Sequence, residues 1–257
     1  EMCIRDSMFT FRITINGQLL LSMLYEMVIT RIPNSVAIMQ NTDGCEFLIP
    51  KEYKGVFEQI CKEWEVMTSL ELEVDEYKKM IISDVNNYIA MYKKEGKEPK
   101  CKGRFEFSNL ALHKNKSYQV VPKALYAYFV KGVEPKEYLE SNRNIYDYCA
   151  GSKIKGDWHF VERKVIDGCY IENHLQNLVR YYISKHGVKI IKCSSDGREI
   201  QLESGKWMQS LFNVFQEKDW DTYDIDESFY LDKIYREIAK IEESNPLINS
   251  NKQLTLF

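Results

Sequence analysis

Apolar residues in the first third of the chain recur at two different spacings. From Ile13 to Ser35, Leu20, Met23/Leu24 and Met27/Val28 follow the i, i+3/i+4, i+7 rhythm of a half-buried helix, with Asn16 placed to cap it and Pro33 to stop it. "VAIMQ" and "CEFLI" then flank Asn41-Thr42-Asp43-Gly44, whose residues tolerate the backbone angles of a tight turn, so 36–50 reads as strand, turn, strand. Pro50 suits the first turn of a second helix with the stripe Val56, Phe57, Ile60, Cys61 and Trp64. "SLELEV" alternates at period two and "MIISDVNNYIAMY" is rich in β-formers, so further strands are expected. Residues 93–104 form a loop around Gly96 and Pro99, and "RFEFSNL" is read as a strand after it.

Beyond about residue 112 the pattern changes. "VPKALYAYFVKG", "ENHLQNLVRYYISKHG" and "YLDKIYREIAKIEE" predict helices, and "SNPLINSNK" a polar linker before the final "QLTLF". The fold class expected is therefore α+β. An antiparallel sheet with helices on one face spans 8–112, a mainly α-helical part spans 113–243, and a tail spans 244–257.

Composition narrows the class of protein without naming a function. The 257 residues are 44% apolar and 28% charged, enough for a proper core, and the net charge of −3 means that attraction to nucleic acid must come from local patches. Seven scattered cysteines without a CxxC pair favour a reduced cytoplasmic setting and argue against a zinc site. The apolar run 17–29 is broken by Ser22, Tyr25 and Glu26, and no membrane span is expected. Residues 1–7, "EMCIRDS", match the translation of a transposon-end sequence used in DNA library preparation. They are set aside as non-native, the alternative being an ordinary N-terminus, and the native chain is then expected to extend upstream.

Candidate chemistry begins with Asp43. A carboxylate at a hairpin tip can hold a divalent ion against phosphate oxygens, because magnesium prefers hard oxygen ligands, although turn chemistry alone also explains an exposed Asp there. Residues 93–104 hold six basic residues against two acidic ones, which fits either phosphate contact or a solvated loop. The six acids within 217–227 lack the glycine and spacing of an EF-hand and read as a solvated turn. His113, His159, His174 and His186 show no metal-ligand spacing.

Taken with its flanks, "ITINGQLLLSMLYE…IPNSVAIMQNTDGCEFLIP" resembles the C-terminal palm segment of phage-type B-family DNA polymerases. The family's catalytic hairpin carries Asp-Thr-Asp-Ser. Asn41 and Thr42 stand at its first two positions, Asp43 at the metal-binding aspartate and Gly44 at the serine. Gly17 belongs to a Thr-x-x-Gly-(Arg/Gln) signature spanning Thr14–Gln18. "DVNNYIAMYKKEGKEPKCKGRFE" resembles the family's Lys-x-Tyr strand and its later Lys-Gly step, with Asn86 where lysine is usual, Tyr88 at the tyrosine, and Lys102-Gly103 at the step.

The resemblance implies primer–template contact by Asn86, Asn87, Tyr88, Lys100, Lys102 and Gly103. It also implies a helical thumb holding the duplex, in which Lys114, Lys116, Arg180 and Lys185 serve equally well as plain surface. It implies transfer of a nucleotide from dNTP to a primer 3′ hydroxyl, with two Mg2+ ions bridging Asp43 and an aspartate outside this chain. The upstream aspartate motif, the triphosphate-gripping lysine helix and an exonuclease region do not occur in the sequence, so the chain alone is expected not to polymerise.

The last five residues are similar to the pentapeptide by which bacterial polymerases dock on a sliding clamp. Gln253 would supply an orienting hydrogen bond, and Leu254, Leu256 and Phe257 would fill an apolar groove. A C-terminal strand packed on the thumb is the other reading of these residues. A bacterial host cytoplasm is the setting implied. The alternative for the whole chain is a non-catalytic, clamp-tethered DNA-binding module.

Overall fold

Buried apolar faces divide the chain into two compact units, residues 1–103 with 241–257, and residues 104–240. The computed structural model describes residues 7–41, 43–108, 110, 116–166, 168–211, 219–244 and 254–256. The first unit opens with α1 (Ser7–Arg31), then the hairpin β1 (Val36–Gln40) and β2 (Cys45–Pro50). A 3-10 turn (Lys51–Tyr53), α2 (Lys54–Thr68), and β3 (Tyr77–Asp84), β4 (Asn87–Tyr92) and β5 (Lys100–Cys101) follow. These strands and β13 (Leu254–Leu256) make one six-stranded antiparallel sheet in the order β1-β2-β13-β3-β4-β5.

The two predicted helices cover one face of this sheet through a shared core. Leu24, Val28 and Ile32 of the α1 side pack with Phe47 and Ile49 of β2 and with Phe57, Ile60, Cys61 and Trp64 of α2. Each large side chain buried there stabilises the fold by about 1.5–3 kcal/mol. Trp64 Nε1 donates to the Leu20 carbonyl at 2.8 Å, satisfying the one polar atom that its burial would strand. Ser69, in the left-handed region at φ 56°, ends α2 by donating its N–H to the Glu65 carbonyl.

Several local expectations are corrected. Asn16 caps nothing, because α1 begins at Ser7 and runs through Asn16 and Gly17; neither residue costs more than about 1 kcal/mol inside a helix. Continuity of that helix also overturns the reading that no run reaches spanning length. Phe11–Arg31, with a mean hydropathy of 1.2, is long and apolar enough to cross a membrane by length and composition, a test that core helices and signal sequences pass too. "SLELEV" is irregular. Leu72 packs on the core, but Leu70 and Val74 face solvent, and Leu72 N–H donates to the Glu65 carboxylate rather than to a partner strand. "RFEFSNL" begins as a 3-10 turn at Gly103–Phe105 rather than a strand.

The second unit has helices at its ends and sheets in its middle. α3 (Val120–Tyr126) continues into a π turn (Ala127–Lys131), followed by α4 (Pro135–Ser141) and α5 (Ile145–Tyr148). Seven strands come next: β6 (Ala150–Lys153), β7 (Trp158–Ile166), β8 (Cys169–Leu175), β9 (Leu178–Ser184), β10 (Lys189–Ser194), β11 (Glu199–Gln201) and β12 (Trp207–Leu211). They form two antiparallel sheets, β11-β10-β7-β8 and β12-β9-β6, before a 3-10 turn (Trp220–Tyr223) and α6 (Glu227–Ser244).

The expectation of a mainly α-helical second part is thus corrected to a mixed α/β one. "ENHLQNLVRYYISKHG" forms the end of β8, a short turn and the whole of β9, not a helix. Val179, Tyr181, Tyr182 and Ile183 are β-branched or aromatic and all buried, and strand pairing places them better than a helix would. The two expected flanking helices are present as α3 and α6. Tyr230 ties α6 to α5 and β9, since its hydroxyl donates to the Tyr148 carbonyl and accepts from Ile183 N–H, both at 2.9 Å.

Candidate functional site

The β1–β2 hairpin positions Asp43 by local chemistry alone. Asn41 N–H donates to the Gly44 carbonyl at 3.0 Å, and Asp43 N–H donates to the Asn41 side-chain oxygen at 3.3 Å. Asn41 therefore fixes the turn and leaves the Asp43 carboxyl exposed at its tip. Thr42 lies outside the described residues. Two positions beyond Gly44 stands Glu46, whose neighbours in β2 turn their side chains into the helix-covered core while its own lies half-buried.

Asp43 and Glu46 share a cavity of about 570 Å3 with Asn41, Gly44, Asn86, Tyr88, Lys100 and Lys102. Glu71 to Asp75, the irregular segment before β3, form another part of its wall. One Glu46 carboxylate oxygen is buried without a hydrogen-bond partner. Burial pushes the Glu46 carboxyl up from its ordinary value, the Lys100 ammonium pulls it down, and the Asp43 charge pushes it up again. Sequence reasoning missed Glu46. Its signal was an acidic residue inside an otherwise apolar strand, three positions from Asp43.

The strands opposite place the expected duplex-contact residues close together but not alike. Tyr88 is only 4% exposed and packs with Met39, Tyr77 and Ala90. Burial raises its hydroxyl pKa, against the pull of the Lys100 ammonium beside it. Lys100 is half-buried, whereas Asn86 and Lys102 are exposed. Asn87 serves the β3–β4 turn, its Nδ2 donating at 2.6 Å to the Asp84 carboxylate, which also accepts from Asn86 N–H.

Gly103 is demanded by geometry. At φ +61° a Cβ there would lie 2.3 Å from Asn87 Oδ1 and 2.4 Å from the Asn86 carbonyl oxygen. That close approach, with Lys102 N–H donating to the Tyr88 carbonyl at 2.9 Å, holds the Lys-Gly step against the Asn86–Tyr88 segment. Gly17 lies within α1 with open space around it.

Much of the basic character of 93–104 is already engaged. Lys93 pairs with Glu76 at 2.7 Å and Lys97 with Asp75 at 2.9 Å, and Arg104 pairs with Glu237. In the second unit Lys116, Arg180 and Lys185 are exposed, and Lys114 and His113 lie outside the described residues. The acidic turn is structural there: Asp224 accepts from His186 N–H, and Asp226 pairs with Lys206 at 2.9 Å.

Leu254 and Leu256 lie in β13, where the backbone pairs with β2 and β3 of the first unit's sheet. Gln253 and Phe257 lie outside the described residues. Among the described residues, no three metal-ligating side chains come together. No family model, no curated protein and no solved structure matches this chain.

Proposed function

We propose that the chain is the C-terminal palm and thumb part of a phage-type B-family DNA polymerase, acting in a bacterial cytoplasm on primer–template DNA and dNTP. The supporting observation is that Asp43, Asn86, Tyr88, Lys100 and Lys102, from separate parts of the sequence, line one cavity. These are residues to which the family resemblance assigns metal binding (Asp43) and primer–template contact (the other four).

The donors fit magnesium in kind. Asp43 and Glu46 offer hard carboxylate oxygens, and one oxygen of Glu46 is buried without a partner. Asp43 would hold the ion with Glu46 behind it, and an aspartate from outside this chain would complete the shell. Bound there, magnesium would activate the primer 3′ hydroxyl and stabilise the leaving pyrophosphate. The chain's own residues bind and orient: Lys102 and Lys100 offer positive charge to backbone phosphates, and Gly103 keeps that charge close to the Tyr88 strand. The tail would dock on a bacterial-type sliding clamp through Gln253, Leu254, Leu256 and Phe257. Such a tether raises processivity through effective concentration.

Paramagnetic Mn2+ tests the metal site without requiring activity. Amide signals around Asp43–Glu46 should broaden on titration, and Asp43→Asn should abolish the effect; broadening centred elsewhere would count against the proposal. A DNA-binding module without catalysis would bind a primer–template duplex yet show no Mn2+ effect at Asp43. The docking claim fails if a labelled peptide of residues 244–257 ignores a bacterial sliding clamp.

A further inference from the structure

The β7–β8 hairpin brings together two histidines too far apart in sequence to form a spacing motif. Across the pair Val161 faces His174 and Phe160 faces Leu175. Side chains two apart on a strand share a face, so His159 and His174 stand on one face as diagonal neighbours. Their ring centroids lie 5.2 Å apart, with the planes inclined at 35°. His174 is exposed and His159 half-buried, which leaves the pair open to solvent. Among the described residues, neither imidazole takes part in a hydrogen bond or an ion pair.

That separation suits a chelate. A nitrogen about 2.1 Å from zinc puts its ring centroid about 3.2 Å from the ion, and a near-tetrahedral angle then sets two centroids about 5 Å apart. The surrounding groups select the kind of ion. Glu172 lies on the same face, two residues before His174, and accepts from Arg163 at 2.5 Å. Glu199 accepts from the other two arms of Arg163 at 2.9 and 2.7 Å. Both carboxylates are engaged, yet the cluster still sets two negative charges against one positive charge, which favours a cation nearby. Cys193 pairs with His159 across β7 and β10, but burial and then the Glu199 charge push its thiol up, so it keeps its proton. The available ligands are then two imidazoles, which suit zinc, copper and nickel and not the oxygen-seeking magnesium or calcium.

We propose that His159 and His174 form a two-imidazole site for a divalent late transition-metal ion such as Zn2+. Among the described residues no third ligand joins them, so water completes the coordination. The ion fastens β8, the edge strand of its sheet, to β7. Strand register makes this site, and it stands without the reading of Asp43.

Zn2+ titrated into the full chain under reducing conditions, and followed by the histidine ring signals in NMR, tests the site. The His159 and His174 rings should shift together with one midpoint, while His186, already bonded to Asp224, stays still. Mg2+ at the same concentration should move neither ring. At ten times the measured Kd, amide exchange along the β7–β8 ladder should slow by about tenfold. His159→Gln and His174→Gln should each abolish the saturating response, and Cys193→Ser should leave it in place.

Movement of one ring alone, a response that survives either glutamine variant, or its loss in Cys193→Ser would overturn the two-imidazole site. Should a glutamine variant fail to fold, paramagnetic Co2+ added to the unaltered chain decides. Its largest shifts must fall on these two rings, and shifts centred elsewhere overturn the site. The Asp43 hairpin contributes no histidine signal, so failure of the magnesium reading is seen separately.

Discussion

Replacing Gly103 by alanine should destabilise the first unit far more than the same change at Gly96. Both glycines have positive φ, +61° and +78°, so each variant incurs the left-handed backbone penalty of about 1–2 kcal/mol. At Gly96 nothing lies within 4 Å of the new Cβ, and the penalty ends there. At Gly103 the Cβ would stand 2.4 Å from a backbone oxygen, which cannot swing aside as a flexible side chain can. The β3–β4 turn must move, weakening the Asp84 bonds to Asn86 N–H and Asn87 Nδ2 at about 0.5–1.5 kcal/mol each. The total is about 2–5 kcal/mol, against about 1–2 kcal/mol for Gly96→Ala. Native-state hydrogen exchange at Ile89 and Ala90, both fully buried in β4, reads the difference. Equal losses of protection in the two variants would refute the close-approach account of Gly103.

Other outcomes follow from single contacts. Glu46→Gln should stabilise the chain near neutral pH and have little effect below the ordinary carboxyl range. The folded-state pKa of Glu46 is raised, so its ionisation opposes folding as pH climbs from the unfolded value through the folded one; urea midpoints across that window measure the effect. Tyr230→Phe should cost about 2–4 kcal/mol, because Ile183 N–H and the Tyr148 carbonyl both lose a buried partner, and thermal unfolding would show it. Lys100→Ala with Lys102→Ala should reduce the salt slope of primer–template binding by about 1–2, measured by fluorescence anisotropy; an unchanged slope would place the duplex elsewhere.

Local patterning carried the reading where each element is specified by its own residues. The stripe Phe57, Ile60, Cys61 and Trp64 reached the core as its spacing predicts, while Val56 stayed exposed. The hairpin was legible in Asn41 and Gly44 because turn angles are chosen by the residues that make them. The sheets of the second unit were not. Their aromatic and β-branched segments fit either period over short runs, and pairing between distant strands decided the outcome, as with β6 and β9. Glu46 was only faintly legible for a related reason: an acid inside an apolar strand marks the position, but only the approach of Lys100 and Asp43 in space ties it to the cavity.

The place of β13 also sets an order of events during synthesis. The first unit takes strands from residues 36–101 and its last strand from 254–256, so the whole second unit is an insertion between two parts of one sheet. A ribosome would release the helices α1 and α2 and five strands long before the sixth. The edges of β2 and β3 would stay open to solvent throughout the synthesis of the second unit. Such edges recruit other chains, and closing a loop this long is slow compared with forming local contacts. Refolding of the first unit should therefore show a late step that depends on the last residues of the chain. Aggregation before that step should fall when a tail peptide is supplied in trans.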